Sequence, residues 1–275
     1  MKQRIKQRTK QNVMLSLAGA VPLAGFCVCW LLPLGMTFWY AFRRSAFDLR
    51  FAGFDNFAYL MGNRYFHTGM GNLLLLGGGM IGGALAVALV LAPLLCVHPR
   101  MARAGTALLL LPLLIPSISA VKLWQSVFDT SSYLAPASAV ASILTLFLWK
   151  YAGVGGVLLS TALKKLPQSI LDAAALDGAG RFRCYVSIRL PMVGAQLAGV
   201  LIVMTMFMFR VYKESYLLFG LYPSEDVYML QHYMNNQYQK MNLQYVTAAA
   251  VILIVLALVL YGLGYLALRR RRALA

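Results

Sequence analysis

Acidic residues are scarce in this chain. Asp and Glu together number 8 in 275 residues against 25 Lys and Arg, and charged residues of both signs make up only 12% of the sequence. Ordinary soluble domains carry about a quarter charged residues, so a soluble globular fold is excluded. Cysteine and histidine are also few. Cys27 and Cys29 stand two apart and point to different faces of a helix, Cys96 and Cys184 are placed near or beyond the expected cytoplasmic boundary, and His67, His98 and His232 fall in different connections. Neither set has zinc-ligand spacing or a disulfide pattern, which argues against a metal or histidine-based catalytic centre. No Gly-x-x-x-x-Gly-Lys-Ser/Thr segment occurs, so the chain lacks a phosphate loop for ATP. No inverted repeat is visible, and no Asp or Glu is expected well inside an apolar run, where an ion-coupled carrier would hold its proton or sodium.

What the chain does have is hydrophobicity: 60% of its residues are apolar, in runs of about 20 or more, the length that crosses hydrocarbon. The runs lack period-two alternation, so helices are expected rather than a barrel. The reading is an all-α polytopic bundle forming a single transmembrane domain over 1–275. Six spans are expected, near 15–42, 71–97, 106–128, 138–162, 192–213 and 246–268. Pro22, Pro33, Pro112 and Pro116 are expected to kink or end helical turns. Gly78 with Gly82, and Gly79 with Gly83, put small residues four apart in the second span, where another helix can approach closely.

Charge orients the bundle. Lys2, Arg4, Lys6, Arg8 and Lys10, then Arg100 and Arg103, then Lys164, Lys165, Arg181, Arg183 and Arg189, and finally Arg269 to Arg272 place sixteen of the 25 cations on one side of a six-span arrangement. By the positive-inside tendency that side is the cytoplasm, with both termini inside. Asp48, Asp55, Asp129, Glu214, Glu225 and Asp226 fall on or near the other side. The net charge of +17 therefore reads as attraction to anionic membrane lipid, worth about 1 kcal/mol per cation near the surface, and not as nucleic-acid binding. The apolar run after the basic start is too long for a signal-peptide core, and Phe26 spoils a lipoprotein site before Cys27, so an uncleaved first span is expected.

Three cations fall inside apolar runs: Lys122, Lys150 and Arg210. Each would cost about 2.5–3.5 kcal/mol facing lipid at mid-membrane, so a cavity, a partner or the interface is expected to receive them. Trp124, Trp149, Tyr151 and Tyr212 lie close by in sequence, with Glu214 the one nearby acid. Aromatic faces beside polar donors suit a sugar ring, and this group is the candidate solute pathway; an interfacial aromatic belt with outward-reaching cations is the plainer alternative. A cavity lined by the three cations would be net positive and would favour an acidic sugar, unless a partner neutralised it.

The most informative segment runs from Asp172 to Pro191. Pro167 suits a first helical turn, Gln168 to Asp177 are good helix formers, and Gly178 is placed to end the helix in a left-handed cap. Phe182, Tyr185, Val186 and Ile188 are spaced to lie against the membrane end of the bundle. Helix chemistry alone leaves a partner-docking helix and a solvated loop equally open. The order of Asp172, Ala173, Ala174, three residues, Gly178, nine residues, then Ile188, Leu190 and Pro191 resembles the cytoplasmic loop of permease subunits of binding-protein-dependent ABC importers. Gly53-Phe54-Asp55-Asn56-Phe57, Lys213 to Tyr216 and Tyr245 to Ala250 resemble the carbohydrate-type, maltose and glycerol-phosphate, members of that family. One departure is that Asp172 stands where the family has glutamate, keeping the charge on a side chain one methylene shorter.

The resemblance implies a type I importer permease: one of two permease subunits forming the pathway, with two ATP-binding subunits that hold ATP and Mg and an extracytoplasmic solute-binding protein. The chain would then be a transport subunit and not an enzyme, in a prokaryotic inner or plasma membrane. It implies that the loop 164–191 meets the ATPase through Asp172, Ala173, Ala174, Asp177 and Gly178. A sugar or oligosaccharide is the implied solute. An ion-coupled secondary transporter is the alternative function; an integral membrane enzyme and a scaffold subunit without transport are further readings.

Overall fold

The apolar runs become helices because a backbone within hydrocarbon must satisfy its own hydrogen bonds. The computed structural model describes residues 19–97, 99–127 and 136–273. Lys2 to Lys10, His98 and Asp129, named above, lie outside the described residues. The elements are α1 (Gly19–Ala41), which contains a π-helical turn at Cys27–Leu31, α2 (Asp55–Met61), α3 (Arg64–Leu94), α4 (Pro99–Leu114) and α5 (Ser117–Val127). Then come α6 (Pro136–Leu163), α7 (Gln168–Leu176), α8 (Arg181–Cys184), a π turn at Tyr185–Arg189, and α9 (Leu190–Met192). The chain continues through α10 (Gly194–Arg210), α11 (Tyr212–Phe219), α12 (Leu230–Gln239) and α13 (Leu243–Ala273). Among the described residues the only strand-like feature is one antiparallel bridge, Arg43 with Phe51.

Five of these segments are long and apolar enough to cross a membrane: Gly19–Ala41, Arg64–Leu94, Ala137–Leu163, Gly194–Phe219 and Leu243–Gly262. The expected third span differs from a simple helix. It is two pieces, Ala102–Leu114 and Ser117–Ser126, bent by 98° at their junction. Pro116 causes the break, since it has no N–H to give the preceding turn and it disfavours helical backbone at Ile115. The fifth span corrects a second expectation. It runs on to Phe219, so Glu214 lies inside a membrane-length helix and is fully buried.

Contacts group the chain into two compact units. The first comprises residues 1–63 and 237–258. Here the Gly53-to-Phe57 segment has a structural purpose: Gly53 takes φ 55°, and buried Asn56 donates through Nδ2 to the carbonyls of Ala41 and Arg43, both at 2.8 Å. Ala41 ends α1, so Asn56 satisfies carbonyls that the helix end leaves open. Phe42, Phe51, Phe54 and Phe57 pack ring to ring around that corner, and Tyr59 stacks on Tyr245 at 4.0 Å.

The second unit, residues 64–236 and 259–275, holds the candidate site. Its spine is α3 against α6, with α4 and α10 packed on α6 and α10 also on α3. Glycines set these approaches. A Cβ on Gly83 would stand 3.1 Å from Leu148, and one on Gly155 would stand 3.0 Å from the Ala88 Cβ, so helices meet where side chains are absent. Gly79 and Gly83 face Leu144 and Leu148 of α6, whereas Gly78 and Gly82 face open space. Among the described residues only one of the two glycine pairs is a packing face.

Candidate functional site

Two clusters within the second unit bear on function. The first lies where the bend, the middle of α6 and α11 converge. Pro116 ends α4 and leaves Ser117 at the first turn of α5; α5 packs on α11. Lys150 on α6 and Glu214 on α11 form an ion pair at 2.6 Å, their side chains 4% and 1% exposed. Ser117 donates its hydroxyl to the same carboxylate oxygen, Oε1, at 2.8 Å, and Tyr151 does so at 3.1 Å. Lys150 Nζ also donates to Ser117 Oγ at 3.3 Å. Three donors thus converge on Oε1, while Glu214 Oε2 is buried with no hydrogen-bond partner among the described residues. The Tyr151 ring stacks on Phe207 at 4.7 Å and packs on Phe147 at 5.1 Å, sealing the pair from hydrocarbon.

This geometry sorts the candidate pathway residues. Lys150, Tyr151 and Glu214 come together, and Trp124 and Trp149 lie side by side at 5.7 Å. Tyr212 sits apart from them, edge-on to His232 at 4.9 Å. Lys122 and Arg210 are exposed. The expected excess of positive charge is corrected at Lys150, because Glu214, reached through 64 residues of sequence, neutralises it. His232 is fully buried. Its Nδ1 accepts from the Met229 N–H at 3.1 Å, and burial pushes its pKa down to about 4. Arg64 and Asn72 bind the adjoining segment through Glu225 and the Tyr228 carbonyl.

The second cluster is the polar loop after α6. Pro167 is extended at ψ 128° and precedes the helix as its N-cap, a correction of one position. Within α7, Gln168 Nε2 donates to Asp172 Oδ1 at 2.9 Å, one turn apart on the same face. Gly178 ends the helix at φ +76°. Ala179 N–H reaches Ala174 O at 3.0 Å and Gly178 N–H reaches Ala175 O at 3.1 Å, the two crossed bonds of a glycine-terminated helix. Ala174 turns inward and is buried, while Asp172, Ala173, Asp177 and Gly178 are exposed.

Leu176 and Phe182 stand 89% and 80% exposed beside them. The packing expected of the next segment holds for half of it. Tyr185 and Ile188 are half-buried, whereas Phe182 and Val186 are exposed. No group of three or more metal-ligating side chains occurs among the described residues.

Residues 79–273 match the family described as binding-protein-dependent transport system inner membrane component. The chain is 27% identical to the diacetylchitobiose uptake system permease protein NgcF of Streptomyces coelicolor, over 90% of this chain and 79% of that protein. It is 27% identical to the sn-glycerol-3-phosphate transport system permease protein UgpA of Escherichia coli O157:H7, over 66% and 68%. Its fold is similar to a solved bacterial ABC transporter involved in import of the acidic polysaccharide alginate, with TM-score 0.82 and 20% identity, over 97% of this chain and 99% of that one. It is also similar to a solved bacterial alginate ABC transporter in complex with an alginate-pentasaccharide-bound periplasmic protein, with TM-score 0.78 and 20% identity, over 94% of this chain and 96% of that one. The bent third span, the capped exposed loop and this match over most of the sequence agree: the chain belongs to the family of inner membrane components of binding-protein-dependent transport systems.

Proposed function

We propose that this permease forms one half of the membrane pathway of an ATP-driven importer for a sugar or oligosaccharide. The observation that carries the reading is the α7 helix, whose Asp172, Ala173, Asp177 and Gly178 present an exposed, small-residue face ending in a fixed cap. A short helix of this kind fits a groove on a partner, because the absence of bulky side chains lets the two backbones approach. Leu176 and Phe182 supply apolar anchors at its rim. ATP and Mg belong to two partner ATP-binding subunits, a second permease completes the pathway, and an extracytoplasmic binding protein delivers the solute. Both termini are cytoplasmic, a reading supported by Arg100, Arg103, Lys164 and Lys165 at the helix ends nearest α7.

A carbohydrate solute is supported by the relative whose name specifies diacetylchitobiose, and the other relative's name specifies a small polyol phosphate, sn-glycerol-3-phosphate. The Trp124–Trp149 pair offers aromatic faces of the type that stack on sugar rings. With Lys150 neutralised by Glu214, any preference for an acidic over a neutral sugar rests on Lys122 and Arg210. The ion-coupled alternative is disfavoured because the intramembrane carboxylate is already held by Lys150 and two hydroxyls. The deciding experiment is purification of the chain with its bound subunits, followed by reconstitution into vesicles with ATP and candidate sugars. ATP-dependent, binding-protein-dependent uptake is the expected result. Uptake driven by an ion gradient with no ATPase present would sink the proposal.

A further inference from the structure

Pro93 lies inside α3. In an unbroken helix the Leu89 carbonyl would accept the N–H of residue 93, but proline has none, and its ring pushes the carbonyl four residues earlier out of line. Leu89 is on a membrane-length helix, where a carbonyl without a partner is costly. The Tyr185 hydroxyl donates to this carbonyl at 2.7 Å. Tyr185 opens the π turn Tyr185–Arg189 that follows α8, so it belongs to the same polar loop as α7, 96 residues away from its acceptor in sequence. Burial pushes the Tyr185 phenol up, so the proton that makes this bond stays in place throughout the physiological range. Nearby, the Cys96 thiol donates to the Ala92 carbonyl at 3.3 Å, another acceptor in the last turn of α3.

The geometry points to Tyr185 as the positioning residue of the coupling loop: its hydroxyl occupies the carbonyl that Pro93 vacates on Leu89 and thereby fixes the loop to α3. The chemistry is a matched pair, a missing donor on one element and an added donor on the other. A phenylalanine at 185 would keep the packing and lose the attachment. The surrounding loop contributes few other holds: Phe182 and Val186 are exposed, and of the α7 residues Ala174 alone is buried. A displacement of α7 is therefore delivered to α3 through Tyr185 rather than through a broad interface. This inference rests on the reading of the loop as the ATPase contact only for its consequence in transport. The bond itself can be tested without an ATPase.

The test is a two-residue cycle in the purified complex: Tyr185→Phe, Pro93→Ala and the double variant. Pro93→Ala restores an N–H that Leu89 can use, so Tyr185→Phe should matter in the natural background and be nearly silent beside Pro93→Ala. Backbone hydrogen exchange across 168–190 reads the attachment, and Tyr185→Phe should speed it by about fivefold to tenfold, the loss of one net hydrogen bond. The ratio of solute transported to ATP hydrolysed reads the positioning, and it should fall in Tyr185→Phe and recover in the double variant. Unchanged exchange in Tyr185→Phe overturns the attachment. Faster exchange with an unchanged transport ratio overturns the positioning role through failure of the docking reading, and equal loss in both backgrounds shows that Pro93 has no part. If Pro93→Ala disturbs assembly, Tyr185→Phe against Tyr185→Leu keeps the test open: both lose the bond, and Leu also loses the ring, so an effect confined to Leu refutes a role for the hydroxyl.

Discussion

Replacing Lys150 by Met would test whether the buried pair is a clamp or part of the solute path. The substitution keeps most of the side-chain volume and removes the charge, leaving the Glu214 carboxylate 1% exposed with only Ser117 and Tyr151 as donors. Breaking a buried ion pair from one side costs about 3–5 kcal/mol, because the surviving charge is left uncompensated in a poorly solvating environment. For a chain of this size that corresponds to a fall of about 10 °C in thermal midpoint. Glu214→Gln leaves a buried ammonium in place of a buried carboxylate, and the loss should be similar. The double variant Lys150→Met, Glu214→Gln removes both charges, while the amide oxygen of Gln can still accept from Ser117 and Tyr151. It should return to within about 1 kcal/mol of the natural protein, since replacing a whole buried pair by neutral groups is often close to neutral.

The assay is thermal denaturation of the intact complex together with solute uptake at matched expression. Two losses that simply add in the double variant would refute the pair as a coupled unit, because coupling between touching residues is what such a cycle measures. Recovery of stability with recovery of transport assigns the pair to the scaffold. Recovery of stability without transport places the charges in the pathway.

Gly178→Ala should destabilise the end of α7 by about 1 kcal/mol, because the residue sits at φ +76°. Gly178→Pro should leave the spans inserted but abolish uptake, with ATP hydrolysis no longer matched to transport; unchanged uptake would remove the loop from the mechanism. With the native cysteines replaced, single cysteines at Arg8, Ala102 and Arg271 should resist an impermeant thiol reagent in intact cells while one at Lys240 reacts, and external labelling of Arg271→Cys would break the topology. His232 should make stability fall with acid. Its folded pKa, about 4, lies below the ordinary 6.5, so the stability it contributes is complete above about pH 6.5 and is lost as the pH drops to 4, by at most about 3 kcal/mol. His232→Asn should flatten that part of the pH–stability curve, and an unaltered slope would place its origin elsewhere.

The membrane class, the existence and order of the spans and the capped loop were legible because each is set by local chemistry. Twenty apolar residues must span, lysines and arginines mark ends, and a glycine after good helix formers stops a helix at Gly178. The bend was only half legible: Pro112 and Pro116 announce distortion, but a 98° turn depends on what receives α5, and that is Glu214 through Ser117. The Lys150–Glu214 pair was hidden because the end of the fifth span had been expected at 213, before the acid. Extending the helix to Phe219 brings a carboxylate into the bundle, and hydropathy alone penalises that extension without seeing the lysine that offsets it. The burial of His232 was not legible either, since its polar neighbours on α12 look like a surface until Gly69 allows Leu230 to approach: a Cβ on Gly69 would stand 3.0 Å from the Leu230 Cα.

Both clusters belong to one helix or its immediate continuation, and that connects them mechanically. Lys150 and Lys164 are 14 residues apart, about 21 Å along α6 and the turn after it. Between them Gly153 meets the Leu109 backbone so closely that no Cβ fits, Gly155 meets Ala88, and Gly156 stands 3.0 Å from Leu91 by the same measure. These contacts come from α4 on one side and α3 on the other, so α6 is held across its width over a single turn. No proline or π turn interrupts it between Lys150 and Leu163, and its glycines there, the other usual place for a kink, are the ones packed against α3 and α4. A helix gripped in this way moves as a piece with its neighbours. The ion pair that anchors the bent α4–α5 segment and the loop that leaves the far end of α6 therefore cannot shift independently without opening a void at Gly153, where the packing leaves no slack.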